Sequence, residues 1–197
     1  STSWSSNSCY GYVDFTSASY HDDAIYWHQN VPPYLGPVWY VATSGSDDND
    51  GSEESPFATI QAGIDAASDG DTVLVGPGTY TGGIYYNGDR VIISQAGAEN
   101  TIIQGGGTVF GAWNNNDNSS YVVLDGFTLT GGNEHWGGGI SVVESVTLDL
   151  RNSIVTENQA NEGAGIYIAE GGTLFATSVS IINNINPNIN GGGVHNV

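Results

Sequence analysis

The sequence contains no lysine and no methionine, and its two arginines, Arg90 and Arg151, stand against 21 carboxylates for a formal net charge of −19. A field of that sign repels phosphate backbones and anionic headgroups, so neither nucleic acid nor a membrane surface is an expected partner. Cations and neutral surfaces stay open, and solubility in a saline exterior explains the charge equally well. The single cysteine, Cys9, excludes an internal disulfide, and no spacing of cysteine and histidine suggests zinc. Stability is then expected from packing and backbone pairing. No apolar run reaches the roughly 18 residues of a membrane-spanning helix. With Ser1 first and no signal-like apolar region, a mature secreted product is expected, extracellular or at a cell surface.

What is present points to strands. The 29 glycines follow no triplet period and valine and isoleucine are frequent, which excludes a collagen-like chain and fits a turn-rich all-β protein. Residues 1–37 form a Ser- and Tyr-rich arm with Trp4, Tyr10, Tyr12, Tyr20, Tyr26 and Trp27, ending at Pro32, Pro33 and Pro37. So many aromatics are expected to pack on the body, a neighbouring copy or a ligand. Residues 38–82 read as a cap: a strand in VWYVATSG, an acidic loop, then a helix over 56–68. In that helix Phe57, Ile60, Ile64 and Ala67 share one stripe, Ser55 is the expected N-cap, Pro56 takes the first position and Gly70 supplies the stop. DTVLVGPGTY follows as a strand with an abrupt turn, and from Gly83 onward no helix is predicted.

The body, 83–197, repeats. GGGI at 137–140, GAGI at 163–166 and GGGV at 191–194 are separated by 26 and then 28 residues, and TLDLRNSIVTEN (147–158) aligns with TLFATSVSIINN (173–184) at 26. A unit of this length cannot bury its own apolar face and must stack on its neighbours at about 4.8 Å per rung. The offset predicts three aliphatic columns: Ile140, Ile166 and Val194; Val122, Leu148 and Leu174; Leu129, Val155 and Ile181. A slip of one residue would scramble all three. Asparagines 158, 183, 184, 186, 188 and 190 are expected at turns, left-handed and bonding side chain to backbone.

Residues 40–80 resemble the N-terminal cap of pectate-lyase-like right-handed β-helix proteins, in which a strand, a polar loop and a short helix close the first coil. The GGGI, TEN and GAGI segments resemble the Gly-Gly-Ala-Ile and Phe-x-x-Asn repeats of polymorphic outer-membrane proteins and related surface β-helices. The expected fold is therefore an all-β, right-handed parallel β-helix with a short N-terminal capping helix. Lyases, hydrolases, adhesins and purely structural solenoids share it.

The resemblance implies, for a polysaccharide lyase, a lysine or arginine base beside calcium. Lysine is absent, Arg151 falls one rung from Asp125 as an ion-pair partner, and Arg90 sits in a turn next to Asp89. A glycoside hydrolase needs two carboxylates about 5 to 9 Å apart. The pairs Asp22-Asp23 and Asp47-Asp48 lie outside the repeats, while Glu144 and Glu170 occupy equal positions one rung apart, as a catalytic pair, an acidic ladder or a cation site. Asp48, Asp50 and Ser52 alternate like the first ligands of a calcium loop, with Gly51 at the turn and Glu53 or Glu54 available to complete it. The glycine's position and the missing terminal glutamate depart from that loop, and a solvated acidic loop is the alternative. His135 and Trp136, in a loop before GGG, suit either stacking on a sugar or packing at a turn. Asn118 begins an N-glycosylation acceptor.

The last repeat stops at GGGVHNV, which leaves Val194 and Val197 on an uncovered coil. Either a longer protein or the arm of another copy is expected to complete it, the second giving head-to-tail filaments. The expected function is a non-catalytic structural or adhesive β-helix of a surface layer, appendage or filament, with self-association and polysaccharide as partners. A calcium-dependent polysaccharide lyase or glycoside hydrolase is the alternative, followed by a carbohydrate-binding module of a larger surface protein.

Overall fold

The computed structural model describes residues 37–86, 88–112, 119–187 and 192–197. Strands three to six residues long pair with the equivalent run of the next winding, so each winding adds a rung to three parallel sheets. The first sheet stacks β1 (Val38–Val41), β2 (Thr72–Val75), β5 (Arg90–Ser94), β8 (Ser120–Asp125), β12 (Val146–Arg151) and β16 (Thr173–Thr177). The second stacks β3 (Gly78–Thr81), β6 (Thr101–Gln104), β9 (Thr128–Thr130), β13 (Ile154–Thr156) and β17 (Ser180–Ile182). The third stacks β4 (Ile84–Tyr86), β7 (Phe110–Ala112), β11 (Ile140–Val142), β15 (Ile166–Ile168) and β18 (Val194–Asn196). A short fourth ladder joins β10 (Asn133–Trp136) to β14 (Gln159–Glu162) and continues as a bridge from Gln159 to Ile185. This is a parallel β-helix, right-handed as parallel crossovers are.

All three predicted columns form: Ile140 pairs with Ile166 and Ile166 with Val194; Val122 with Leu148 and Leu148 with Leu174; Leu129 with Val155 and Val155 with Ile181. They extend backward to Phe110 and Ile84 in the third sheet and to Ile103 and Tyr80 in the second. Leu148, Val155, Ile140 and Ile166 are fully buried, as are Ile92, Leu124 and Leu150 in a further column. Earlier windings keep the pairing although their lengths differ, Val73 pairing with Ile92 and Ile92 with Leu124. Extra residues are absorbed between strands, where no ladder constrains them.

The corners repeat a backbone conformation more faithfully than a residue type. Gly126, Asn152 and Ser178 occupy one corner at φ of 84°, 46° and 56°, and Gly131, Glu157 and Asn183 another at 73°, 56° and 55°. Left-handed backbone is disfavoured for residues with a Cβ, so stacking must hold Glu157 and Ser178 there. The asparagines expected at turns divide the work. Asn183 takes the left-handed position, whereas Asn158 and Asn184 face inward and stack. Asn158 accepts from the Gly132 N–H at 2.9 Å and donates through Nδ2 to the Leu129 carbonyl and to Asn184 Oδ1, each at 3.0 Å. Asn184 repeats the pattern on the Val155 carbonyl, and Asn186 donates to the Asn161 carbonyl. Asn188 and Asn190 lie outside the described residues.

Two expectations need correction. The helix, α1, spans Ile60–Ala66 instead of 56–68, capped by Thr59 and not Ser55, and ending at Ala67 before Gly70 is reached. Phe57 is extended because it bridges Val41, and Asp47 fixes the start by accepting from the Ala58 and Thr59 N–H groups and the Thr59 hydroxyl. The four stripe residues are all buried, but Phe57 and Ala67 flank the helix. The second correction concerns Arg151. It does stand in register with Asp125, yet its ion-pair partner is Asp149 on its own strand, while Asp125 accepts from the Asn152 amide. Side chains two apart on a strand share a face, and Asp149, buried on the outer surface of the first sheet, is the nearer carboxylate. It also accepts from the Tyr121 hydroxyl at 2.8 Å; burial first, then this bond and charge, push the Tyr121 phenol up to about 12.

The two ends of the described coil differ. The outer edge of β1 is occupied, since Tyr40 N–H donates to Gly51 and Phe57 and Ala42 N–H groups complete the closure with Tyr40 and Phe57 carbonyls. Among the described residues β16, β17 and β18 at the other end pair on one side only, as β3 and β4 do at the first. Leu174 and Ile181 are half-buried and Val194 is exposed, whereas their column partners one rung back are fully buried.

Replacement Asn158→Ala is expected to lower stability by about 2–3 kcal/mol, because it orphans a buried donor and acceptor, read as the shift in urea midpoint. Arg151→Ala is expected to lower it by roughly 1–3 kcal/mol by leaving the Asp149 carboxylate with Tyr121 alone, the lower figure applying because the guanidinium is partly exposed.

Candidate functional site

On the third sheet, apolar residues point inward and the residue between them points out. The outward column runs Tyr85, Gly111, Ser141, Tyr167, His195 in successive rungs. Tyr85, 51% exposed, lies over Gly111: a Cβ built on that glycine would sit 3.0 Å from the ring. At the other end the Tyr167 and His195 rings stack, 5.8 Å between centroids and 12° between planes. Between the two tyrosines only Ser141 and the covered Gly111 fill the column.

The fourth ladder flanks this face. His135 and Trp136 belong to β10, so the loop expected there is a strand, paired parallel with β14. Its pairing is possible because Gly137, left-handed at φ 63°, turns the chain sharply into β11 and Gly163 does the same one rung on. Trp136 is 53% exposed, and His135 meets it edge-on at 4.4 Å. The imidazole is held in turn by the Asn161 amide, 2.7 Å from Nδ1. Trp136 is in register with Glu162, whose carboxylate lies 4.0 Å from His195 Nε2. Glu162 therefore stands between the indole and the Tyr167–His195 stack. Sequence reasoning found His135 and Trp136 but missed Tyr85, Ser141, Tyr167, Glu162 and His195. The 26-residue offset between Ser141 and Tyr167 could have placed those two on one column; Glu162 and His195 needed the bend at Gly163.

Other expected sites fall elsewhere. In the acidic loop, Asp50 accepts from the Ser52 N–H at 3.0 Å, and hydrogen bonds from the Ser52 hydroxyl and backbone hold its carboxyl below the usual value. Asp48 donates its N–H to Ser46, and Glu53 is exposed. Among the described residues no group of three or more His, Cys, Asp or Glu side chains is placed to hold a metal ion. Glu144 and Glu170 are exposed at equivalent turns after β11 and β15. Arg90 is bound to Asp69 at 2.8 Å and to the Asp89 carbonyl. Val194 and Val197 are exposed on the last winding at 44% and 64%. Trp4, Tyr10, Tyr12, Tyr20, Tyr26, Trp27 and Asn118 lie outside the described residues.

A cavity of about 260 Å³ opens beside α1, lined among others by Thr59, Gln61, Tyr80 and Gly83. Its polar groups serve the fold: Thr59 caps the helix, the Gln61 amide bonds both backbone groups of Tyr85, and the Tyr80 hydroxyl donates to the Gly76 carbonyl. The outer face of the third sheet is the better candidate, because its rings and polar groups face solvent.

Comparison with known proteins bears mainly on the cap. Residues 43–87 match the family described as "Protein of unknown function (DUF1565)". Over 45 residues, 23% of the chain, the sequence is 42% identical to the uncharacterized protein YwoF of Bacillus subtilis (strain 168), and this stretch spans 10% of that protein. Among solved structures a rhamnogalacturonan lyase is similar at a TM-score of 0.42 and 16% identity, the match covering 82% of this chain and half of that one. Of the outward residues only Tyr85 falls inside the family match; Trp136, Glu162, Tyr167 and His195 lie beyond it.

Proposed function

We propose that this chain is a non-catalytic extracellular β-helix with a structural or adhesive role at a cell surface, appendage or filament. The observation that carries this reading is the state of the two arginines. Arg90 is held by Asp69 and Arg151 by Asp149, and the sequence has no lysine. Neither guanidinium is left to take a proton from a uronate or to neutralise an anionic substrate, roles that require a cation in a perturbed, open setting. The acidic composition suits a saline exterior.

Incubation with pectin, polygalacturonate and alginate, with and without calcium, is expected to release neither unsaturated products nor reducing ends. Product formation that disappears in Arg90→Ala or Arg151→Ala would replace this reading with a polysaccharide lyase.

Head-to-tail association belongs to the same proposal: among the described residues β16, β17 and β18 at one end and β3 and β4 at the other pair on one side, and free strand edges invite pairing with a second chain. The aromatic residues of segment 1–37 are the candidate donor. Light scattering and negative-stain microscopy are expected to show filaments or oligomers that vanish when residues 1–37 are removed; a monomer unchanged by the deletion would refute the association.

A further inference from the structure

We propose that the outer face of the third sheet, from Tyr85 across Gly111 and Ser141 to Tyr167 and flanked by Trp136, binds an uncharged polysaccharide. This rests on the adhesive reading above and names its ligand. Tyr85 and Tyr167 lie three rungs apart along one column, about 14 Å at the spacing of paired strands. The Tyr85 ring covers the glycine of the next rung, and the serine of the rung after it leaves the dip between the two rings where a ligand would lie. A span of that length exceeds a single sugar ring and calls for a chain.

The chemistry around the dip is mixed in a way that suits sugars. Aromatic rings offer apolar faces to the C–H face of a pyranose, while Ser141, His135 and Glu162 offer hydroxyl, imidazole and carboxylate to its hydroxyls. The Trp136 ring is also positioned in advance: Asn161 holds His135, and His135 holds the indole edge-on. A platform ordered before binding loses less conformational freedom on binding.

Charge selects among glycans. Glu162 borders the face, both arginines are engaged on the first sheet or beside Asp69, and the net charge is −19. Uronans and sulfated chains are therefore repelled. An extended peptide is a poor occupant, because the face lies within a sheet whose main-chain groups are committed to the ladders, and strand addition needs a free edge.

The test is affinity electrophoresis of the full chain in gels containing mixed-linkage glucan, galactomannan or arabinan as neutral polymers, polygalacturonate as the anionic one and glycol chitosan as the cationic one. Retardation is expected in at least one neutral gel and not in polygalacturonate. Trp136→Ala should weaken it at least about tenfold, as loss of one stacking ring does. Ser141→Tyr, which removes no aromatic group but fills the dip, should do the same. Both variants are to be checked for an unchanged urea midpoint, and Trp136→Tyr should restore most of the binding. The proposal is overturned if no neutral polymer retards the chain, if polygalacturonate or glycol chitosan retards it more, or if both folded variants bind as the parent does. Such failure, with no product formed from uronans, leaves the non-catalytic reading intact; product formation defeats that reading whatever the gels show.

Discussion

Main-chain hydrogen bonds between equivalent strands of successive windings hold everything else in place. In a parallel ladder the register of one pair sets that of the next, so Leu129, Val155 and Ile181 lie over one another because their backbones are bonded, and their side chains then fill one column. A slip of a single residue would turn these side chains outward and bring Thr130, Thr156 and Ile182 in. Apolar burial and backbone pairing thus favour the same alignment, which is the consistency expected of a sequence that specifies one fold. Because successive windings are joined through corners, the corners must close to the same geometry each time. That explains why Glu157 and Ser178 accept a backbone conformation that Gly131 and Gly126 take without strain in earlier windings.

Polar groups are sorted by the same geometry. Buried ones are completed by a neighbour one rung away, as Asn184 completes Asn158, or within the same winding, as Ser94 meets Thr101. Outward ones form compact sets along a column or across a strand: Tyr121, Asp149 and Arg151 on the first sheet, and Tyr85, Ser141, Tyr167 and His195 on the third. The first set is closed upon itself, each polar group meeting another. The second leaves rings and acceptors facing water, which is why binding is proposed for it and not for the arginine cluster. A carboxylate-rich surface disfavours an anionic ligand there.

Much of this was legible in the amino-acid order. The 26-residue spacing of GGGI and GAGI and the matching TLDLRNSIVTEN and TLFATSVSIINN segments were enough to predict which aliphatic residues would share a column, since stacking converts a sequence period into a spatial one. The burial of Phe57, Ile60, Ile64 and Ala67 was legible too, from helical spacing. The start of the helix was not. Ser55 and Pro56 make a good local signal, but Phe57 gains more as the bridge partner of Val41, and Asp47, far back in the loop, supplies the fixing hydrogen bonds. Local propensity yielded to tertiary pairing.

The partners of side chains on the outer surface belonged to the tertiary structure alone. Period and register place Arg151 beside Asp125, but distance along the sheet surface and the burial of Asp149 decide which carboxylate it meets. Likewise Trp136 could be seen in the sequence as an aromatic before a glycine run. That it lies on a paired strand, braced by His135 and Asn161 and one rung from Glu162, follows from the turn at Gly137, which folds that strand against the third sheet. The sequence by itself determined the repeat, the inward columns and the charge, because these depend on spacing and composition. Only the folded chain decided which outward residues face one another, because that depends on how each corner bends.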